Sequence, residues 1–237
     1  MYHSFMPGMY HYYFDPTYIL VIIGALLCMF ASFNVNHTFK KYNRKGNSRH
    51  MTGAQIASEI LSAAGITDVR IEHVSGNLTD HFDPSAKVVR LSDSVYGSTS
   101  IAAAGVAAHE CGHVIQHEKG YVPIKIRNAI VPIVNIGSKL SWPIMLVGLL
   151  LGALGLVKIG ILLFSLTLLF QVVTLPVEFN ASGRALHILE DHHLLYDEEL
   201  SGARKVLTAA ACTYVASAIS TLLQLVRLLL IFNRRDD

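Results

Sequence analysis

The chain has 237 residues, 52% of them hydrophobic and only 15% charged, a balance too apolar for an ordinary soluble domain and one that implies segments solvated by lipid. Its formal charge of +2, with no stripe of Lys and Arg interleaved with aromatics, excludes a nucleic-acid-binding surface. Cys28, Cys111 and Cys212 stand far apart, two of them in apolar runs, so a disulfide framework is excluded and a reducing compartment implied.

An apolar run at 17–33 is long enough to cross or nearly cross a bilayer, since about 20 helical residues cover the hydrocarbon thickness. Residues 1 to 17 hold no Lys or Arg, whereas Lys40, Lys41, Arg44, Lys45 and Arg49 follow the run, and no clear small-x-small cleavage site ends it. That order is the reverse of a secretory signal peptide and predicts an uncleaved anchor. A small α+β unit follows. Thr52-Gly-Ala-Gln55 has the form of a capping box, and Ile56, Ile60 and Leu61 recur at helical spacing until Gly65 ends a helix of about 13 residues. Residues 68–74 and 87–92 alternate as strands do, with the turn signal Asp83-Pro84 between them. The stretch 88–91 is a candidate edge onto which an extended substrate docks as an added strand, and an ordinary core strand is the competing reading.

His109-Glu110-Cys111-Gly112-His113 lies in a run that reads as helix over 98–118, entered through the small-residue stretch Ile101-Ala-Ala-Ala-Gly-Val-Ala-Ala108. Residues four apart on a helix project from one face, so His109 and His113 form a ready pair of zinc ligands. Glu110, one residue along, is placed to take a proton from a zinc-bound water attacking a peptide carbonyl. The spacing therefore points to the working core of a zinc peptidase.

Two further apolar segments, 140–156 and 159–175, predict a hairpin turning around Val157-Lys158, and a fourth spans 207–232. The centre of the fourth, Ala209-Ala-Ala-Cys-Thr-Tyr-Val-Ala-Ser-Ala218, is rich in the small residues that let membrane helices approach closely, and Arg227 near its end can snorkel. Twelve of the nineteen Lys and Arg lie between 34 and 139, and Arg184, Arg204 and Lys205 fall between the third and fourth segments. The excess predicts that both regions face the cytoplasm, with Lys158 and the N-terminus outside; Arg234 and Arg235 count against it.

A catalytic zinc needs a third protein ligand and an open position. His117, eight residues from His109, lies about 12 Å along the axis, too far to share the ion. The longer metzincin pattern also fails, because Gln116 and Lys119 stand where it needs Gly and His. Glu178, in Pro176-Val-Glu-Phe-Asn-Ala-Ser182, returns past the third segment to the side that holds His109 and is a candidate, with Glu190, Asp191 and Glu198 as alternatives. His187, Glu190 and Asp191 share a helical face followed by His192-His193, which would suit a second metal but reads better as the polar face of a solvated helix. Asp80, His81 and Asp83 could reach the site from the loop before the second strand, though Asp83-Pro84 also works as plain turn chemistry. Arg184 and His187 are both candidate oxyanion donors.

His109-Glu-Cys-Gly-His-Val-Ile-Gln116, preceded by Leu78-Thr-Asp-His-Phe-Asp-Pro84 and Val89-Arg-Leu-Ser92 and followed by Leu175-Pro-Val-Glu-Phe-Asn-Ala-Ser182 and Ala209-Ala-Ala-Cys-Thr-Tyr-Val215, resembles the YugP-like membrane zinc metallopeptidases over nearly the whole chain. More distantly, Glu178-Phe-Asn-Ala-Ser182 is similar to the Glu-x-x-Ala-Asp element of HtpX-type and CAAX prenyl proteases, gluzincins in which the glutamate completes a His-His-Glu site. The resemblance implies Glu178 as the third ligand. Ser182 replaces the aspartate that supports a ligand histidine in that pattern, and a serine hydroxyl can orient an imidazole N–H only without charge.

The expectation is thus a mainly α membrane protein of about four transmembrane helices with a small α+β, zincin-like catalytic region. Its segments are a tail and anchor at 1–34, a cytoplasmic catalytic region at 35–139, a transmembrane hairpin at 140–176, a cytoplasmic segment with the third ligand at 177–206 and a last transmembrane helix at 207–237. The expected activity is zinc metalloendopeptidase, with Zn2+ held by His109, His113 and Glu178 and Glu110 as general base. The expected partners are protein or peptide substrates, membrane proteins among them, and the lipid bilayer of a bacterial plasma membrane. Two other readings are an intramembrane protease and a non-catalytic zinc scaffold. Against the first, 101–115 is only about 15 residues, interrupted by His109, Glu110 and His113, with no Asp-Gly ligand motif in a later apolar span. Against the second, zinc binding by two histidines does not require Glu110.

Overall fold

The computed structural model describes residues 15–236. The tail at 1–14 and the side chains of Arg234 and Arg235 lie outside them. Six helices and one small sheet follow in the order α1 (Tyr18–Asn43), α2 (Gly53–Ala63), β1 (Arg70–Val74), β2 (His81–Asp83), β3 (Val88–Ser92), α3 (Ile101–Glu118), α4 (Val122–Leu150), α5 (Leu154–Asp191) and α6 (Asp197–Asp236).

Four of these, α1, α4, α5 and α6, are long and apolar enough to cross a membrane. Their outer faces present Phe30, Phe33, Leu150 and Leu162 to the surroundings, as an exterior solvated by hydrocarbon requires. Helix α1 runs ten residues beyond the expected end at Phe33, which brings Lys40 and Lys41 into its last turn, where cations complement the helix dipole. Arg227 ion-pairs with Asp15 at 3.7 Å, and its guanidinium lies 4.0 Å from the Tyr18 ring centroid, so the start of α1 meets the far part of α6. The antiparallel pairing of these helices puts the end of α1 and the start of α6 together at the opposite, catalytic end.

The α4–α5 hairpin turns earlier than Val157-Lys158. The bend falls at residues 151–153, where Gly152 adopts φ +65°, a conformation that a side chain would strain. Lys158 instead sits in the first turns of α5, its ammonium 5.1 Å from the Phe232 ring centroid. Helix α5 does not stop at the membrane face. It passes through Pro176, whose ring nitrogen has no proton to give the helical ladder, and continues to Asp191 as one rod of 38 residues.

Between the membrane helices lies the α+β unit. The capping box of α2 forms as expected: Thr52 Oγ1 accepts from the Gln55 amide at 3.2 Å and Gln55 Oε1 from the Thr52 amide at 2.8 Å. The sheet order is β1-β3-β2, with β1 parallel and β2 antiparallel to β3. Strand β3 is therefore paired on both edges, and Val88, Val89 and Leu91 are fully buried. The stretch 88–91 is a core strand rather than a docking edge. The free edges belong to β1 and to β2, the latter a strand of three residues too short for its alternation to show in the sequence.

Helix α3 is enclosed by α1, α2, α5 and α6, with its N-terminus capped by Ser100 Oγ accepting from the Ala103 amide at 3.1 Å. Its small residues permit very close packing. A Cβ added to Gly112 would stand 2.6 Å from the Ala181 carbonyl oxygen of α5. Replacing Gly112 by Ala is therefore expected to force α3 away from α5, at a cost of about 1–3 kcal/mol, read as a lowered melting temperature of the detergent-solubilised protein.

Candidate metal centre

The α3–α5 contact at Gly112 sets two histidines of one helix against a carboxylate of the other. His109 and His113, one turn apart, bring their Nε2 atoms to 3.2 Å with ring centroids 4.7 Å apart and planes near perpendicular. Glu178 enters from α5, its Oε2 3.3 Å from His109 Nε2 and 3.7 Å from His113 Nε2. One ligand atom from each residue falls within 4.8 Å of the others. Glu178 is only 3% exposed, yet its Oε2 has no hydrogen-bond partner. A buried carboxylate oxygen without a donor, facing two imidazole nitrogens, is an arrangement that a cation would satisfy. The donor set, two nitrogens and one oxygen, suits zinc with a fourth position open.

The far nitrogens of both rings are held. His109 Nδ1 lies 3.1 Å from Ser182 Oγ, and His113 Nδ1 lies 3.0 Å from Gln116 Oε1. With Nε2 turned to a metal, each Nδ1–H donates to its oxygen, which fixes tautomer and ring plane. Gln116 is completely buried and is itself held, its Nε2 donating to the Val177 carbonyl at 2.8 Å and to Asn180 Oδ1 at 3.0 Å. Arg184 Nε donates to the same Asn180 oxygen at 2.7 Å. A chain of hydrogen bonds thus links the His helix to the Glu helix. Burial alone would push the His113 imidazole down, but the carboxylates of Glu178 and Glu110 outweigh it and raise its pKa above the ordinary value.

The centre opens on two cavities. One, of about 250 Å³, is walled by apolar residues of α1, α3 and α6; the other, of about 170 Å³, holds His81, His117, Arg127 and Asn128. His109, Glu110, Glu178, Asp80 and Tyr214 line both. Glu110 is 8% exposed, so its carboxylate faces the centre with little competing water. Asp80 accepts from the Ser92 amide at 2.7 Å and the Ser92 hydroxyl at 2.9 Å, and burial holds its carboxyl above the ordinary carboxylate range. Asp83 does turn chemistry, accepting from the Ser85 and Ala86 amides and from Arg90.

Other sequence candidates lie elsewhere. His187 is exposed and pairs with Asp191 at 3.3 Å, and Arg184 is spent on Asn180, so neither faces the cavities at the centre. Glu190, Asp191 and Glu198 are exposed away from the histidine pair, and among the described residues no second group with His192 or His193 gathers around one point. His117 lines the polar cavity edge-on to Phe82 without joining the ligand group. Three participants were not singled out from sequence: Gln116, Arg127 and Tyr214. Gln116 stands one turn beyond His113 on the same face, a spacing that marks it; Arg127 and Tyr214 come from distant helices and carry no local signal.

The sequence model of the family described as "Putative neutral zinc metallopeptidase" matches residues 17–233. The chain is 46% identical over 222 residues to "Putative membrane protease YugP" of Bacillus subtilis (strain 168), a span covering 93% of this chain and 99% of that protein. No solved structure matches the chain.

Removing either ring support is expected to loosen the metal. Ser182→Ala and Gln116→Ala should each weaken zinc affinity about 10–100-fold by competition with a chelating dye, without unfolding the protein. Zinc retention should also fall as pH drops, because a His113 proton held above the ordinary imidazole range competes with the metal, measured as zinc per chain after dialysis from pH 8 to pH 5.

Proposed function

The chain belongs to the neutral zinc metallopeptidase family, and from that premise we propose that it is a membrane endopeptidase whose zinc is held by His109, His113 and Glu178 with Glu110 as general base. Zinc is the family's cofactor, and the protein is an integral membrane protease of that class. The observation that carries the residue assignment is Glu178 Oε2, buried without a hydrogen-bond donor opposite two imidazole Nε2 atoms.

His109, His113 and Glu178 would hold the zinc, which when bound would supply Lewis-acid polarisation of a water and of the scissile carbonyl. The residues around it do the remaining work. Glu110 takes the proton of the attacking water and passes it to the leaving amine. Tyr214 and Arg127 offer donors to the carbonyl oxygen as it gains negative charge, the first beside Glu178 and the second with its buried Nε still unpartnered. The free edge of β2, beside the polar cavity, suits an extended peptide backbone.

Sidedness follows from charge. The end of α1 with Lys40 and Lys41, the α+β unit and the start of α6 with Arg204 and Lys205 share the end that holds the centre, which supports a site facing the cytoplasm of a bacterial cell. Helix α3 is not among the long apolar helices and is wrapped in protein rather than lipid, which weighs against an intramembrane protease in which this helix is itself a span.

Glu110→Gln decides the mechanism. The variant should keep one zinc per chain by elemental analysis while losing peptide cleavage at least about 10²-fold, the contribution typical of a general base. Wild-type rates in zinc-loaded Glu110→Gln would refute the assignment, and a zinc-loaded native protein inactive on every peptide would favour a metal-binding scaffold.

A further inference from the structure

We propose that the apolar cavity beside the metal centre is a side-chain subsite, so that the preferred substrate carries a bulky apolar residue next to the bond that is cut. The inference rests on the peptidase reading above and adds its substrate class.

The cavity shares His109, Glu110 and Glu178 with the centre, so whatever fills it lies against the reacting atoms. Its further walls are Phe39 of α1, Val106 of α3 and Leu207, Ala210 and Ala211 of α6. The two alanines make the space; larger residues there would close it. At about 250 Å³ it falls below the roughly 300–1,000 Å³ that encloses a whole drug-sized ligand, and so takes one large side chain rather than a lipid. On the other side of the same centre, Arg127, Asn128 and His117 make the smaller cavity polar. A peptide laid across the centre therefore meets an apolar recess on one side and donors for its backbone on the other.

The lip of the recess carries a second, independent sign. Leu78 is 41% exposed and adopts φ +56°, a left-handed conformation that a leucine rarely occupies. The loop that forces it is tied at both ends, by the Gly76 amide donating to Asp93 Oδ2 at 2.8 Å and by Asp80 accepting from Ser92. The loop thus holds an exposed leucine at the wall of an apolar recess beside the centre, where it can meet a side chain that enters.

Zinc-loaded full-length protein in detergent should be given pairs of quenched peptides that differ only in the residue flanking the scissile bond, with cut sites mapped by mass spectrometry. Leu or Phe is expected to exceed Ser or Asp at one flanking position by about tenfold or more in kcat/KM. Ala210→Phe, which fills the recess, should lower the ratio of Leu-peptide to Ala-peptide cleavage by about tenfold. Leu78→Asn suits the left-handed backbone, so zinc content and melting temperature should hold while the same ratio falls through a higher KM for the Leu peptide. Equal rates within every pair, or a preference untouched by both variants in zinc-replete protein, would overturn the subsite and leave the peptidase reading standing. Failure of zinc-loaded wild type to cut any peptide would overturn that reading instead.

Discussion

Everything at the centre depends on how closely α3 lies against α5. Gly112 lets the Ala181 carbonyl come within a distance that no Cβ would tolerate, and that approach decides where the side chains one turn away on each helix end up. Glu178 lies one turn before Ala181 and Ser182 follows it, while His109 and His113 flank Gly112. The same crossing therefore delivers a carboxylate to the Nε2 side of the histidines and a hydroxyl to Nδ1 of one of them. The cost of this geometry is a carboxylate sealed from water. Desolvating a charge costs several kcal/mol even after relaxation, so Glu178 is tolerable only with cationic company. The two imidazoles stand beside it, and in the proposed site the zinc of the family would supply the rest.

Helix α5 carries this constraint into the membrane. Because it runs unbroken from the hairpin turn to Asp191, the element that crosses the bilayer is also the one that carries Glu178, Asn180 and Ser182. Pro176 sits two residues before Glu178, and Thr174 Oγ1 donates to the Phe170 carbonyl at 2.8 Å, so the helix is altered just where it passes from span to site. A rod of this kind leaves little freedom between span and ligand. Tilting α5 would move Glu178 relative to α3, and with it every distance at the centre.

What the sequence revealed was local or periodic. The histidine pair needed only the helical repeat, the cap of α2 needed four residues, and the apolar spans needed length and composition. The features that escaped it depend on neighbours distant in the chain. Val88-Val-Arg-Leu-Ser92 reads the same whether it is an edge or a centre, and only the pairing of β2 on its second side decides. Val157-Lys158 offers the only charge in the hairpin region, whereas the conformational freedom that closes the bend belongs to Gly152. Gln116 looked like a failed metzincin position and turns out to hold His113 from a fully buried place. Tyr214 lies within a run of small residues that gives it no local signal, and α6 brings it to the wall of both cavities.

Ser182 stands where the more distantly similar proteases carry an aspartate, and it leaves His109 with a neutral partner. Glu110, Glu178 and Asp80 already line the cavities at the centre, and a neutral partner for His109 adds no further negative charge in a place with little water to screen it. A neutral hydroxyl at 3.1 Å still fixes the ring, and a neutral amide from Gln116 does the same for His113. Both imidazoles are thus oriented by uncharged groups, which fix tautomer and ring plane without adding charge at the centre. The charged partner of the network, Arg184, is set one step further out, on Asn180, where it stiffens the amide chain without adding its charge to the histidine pair.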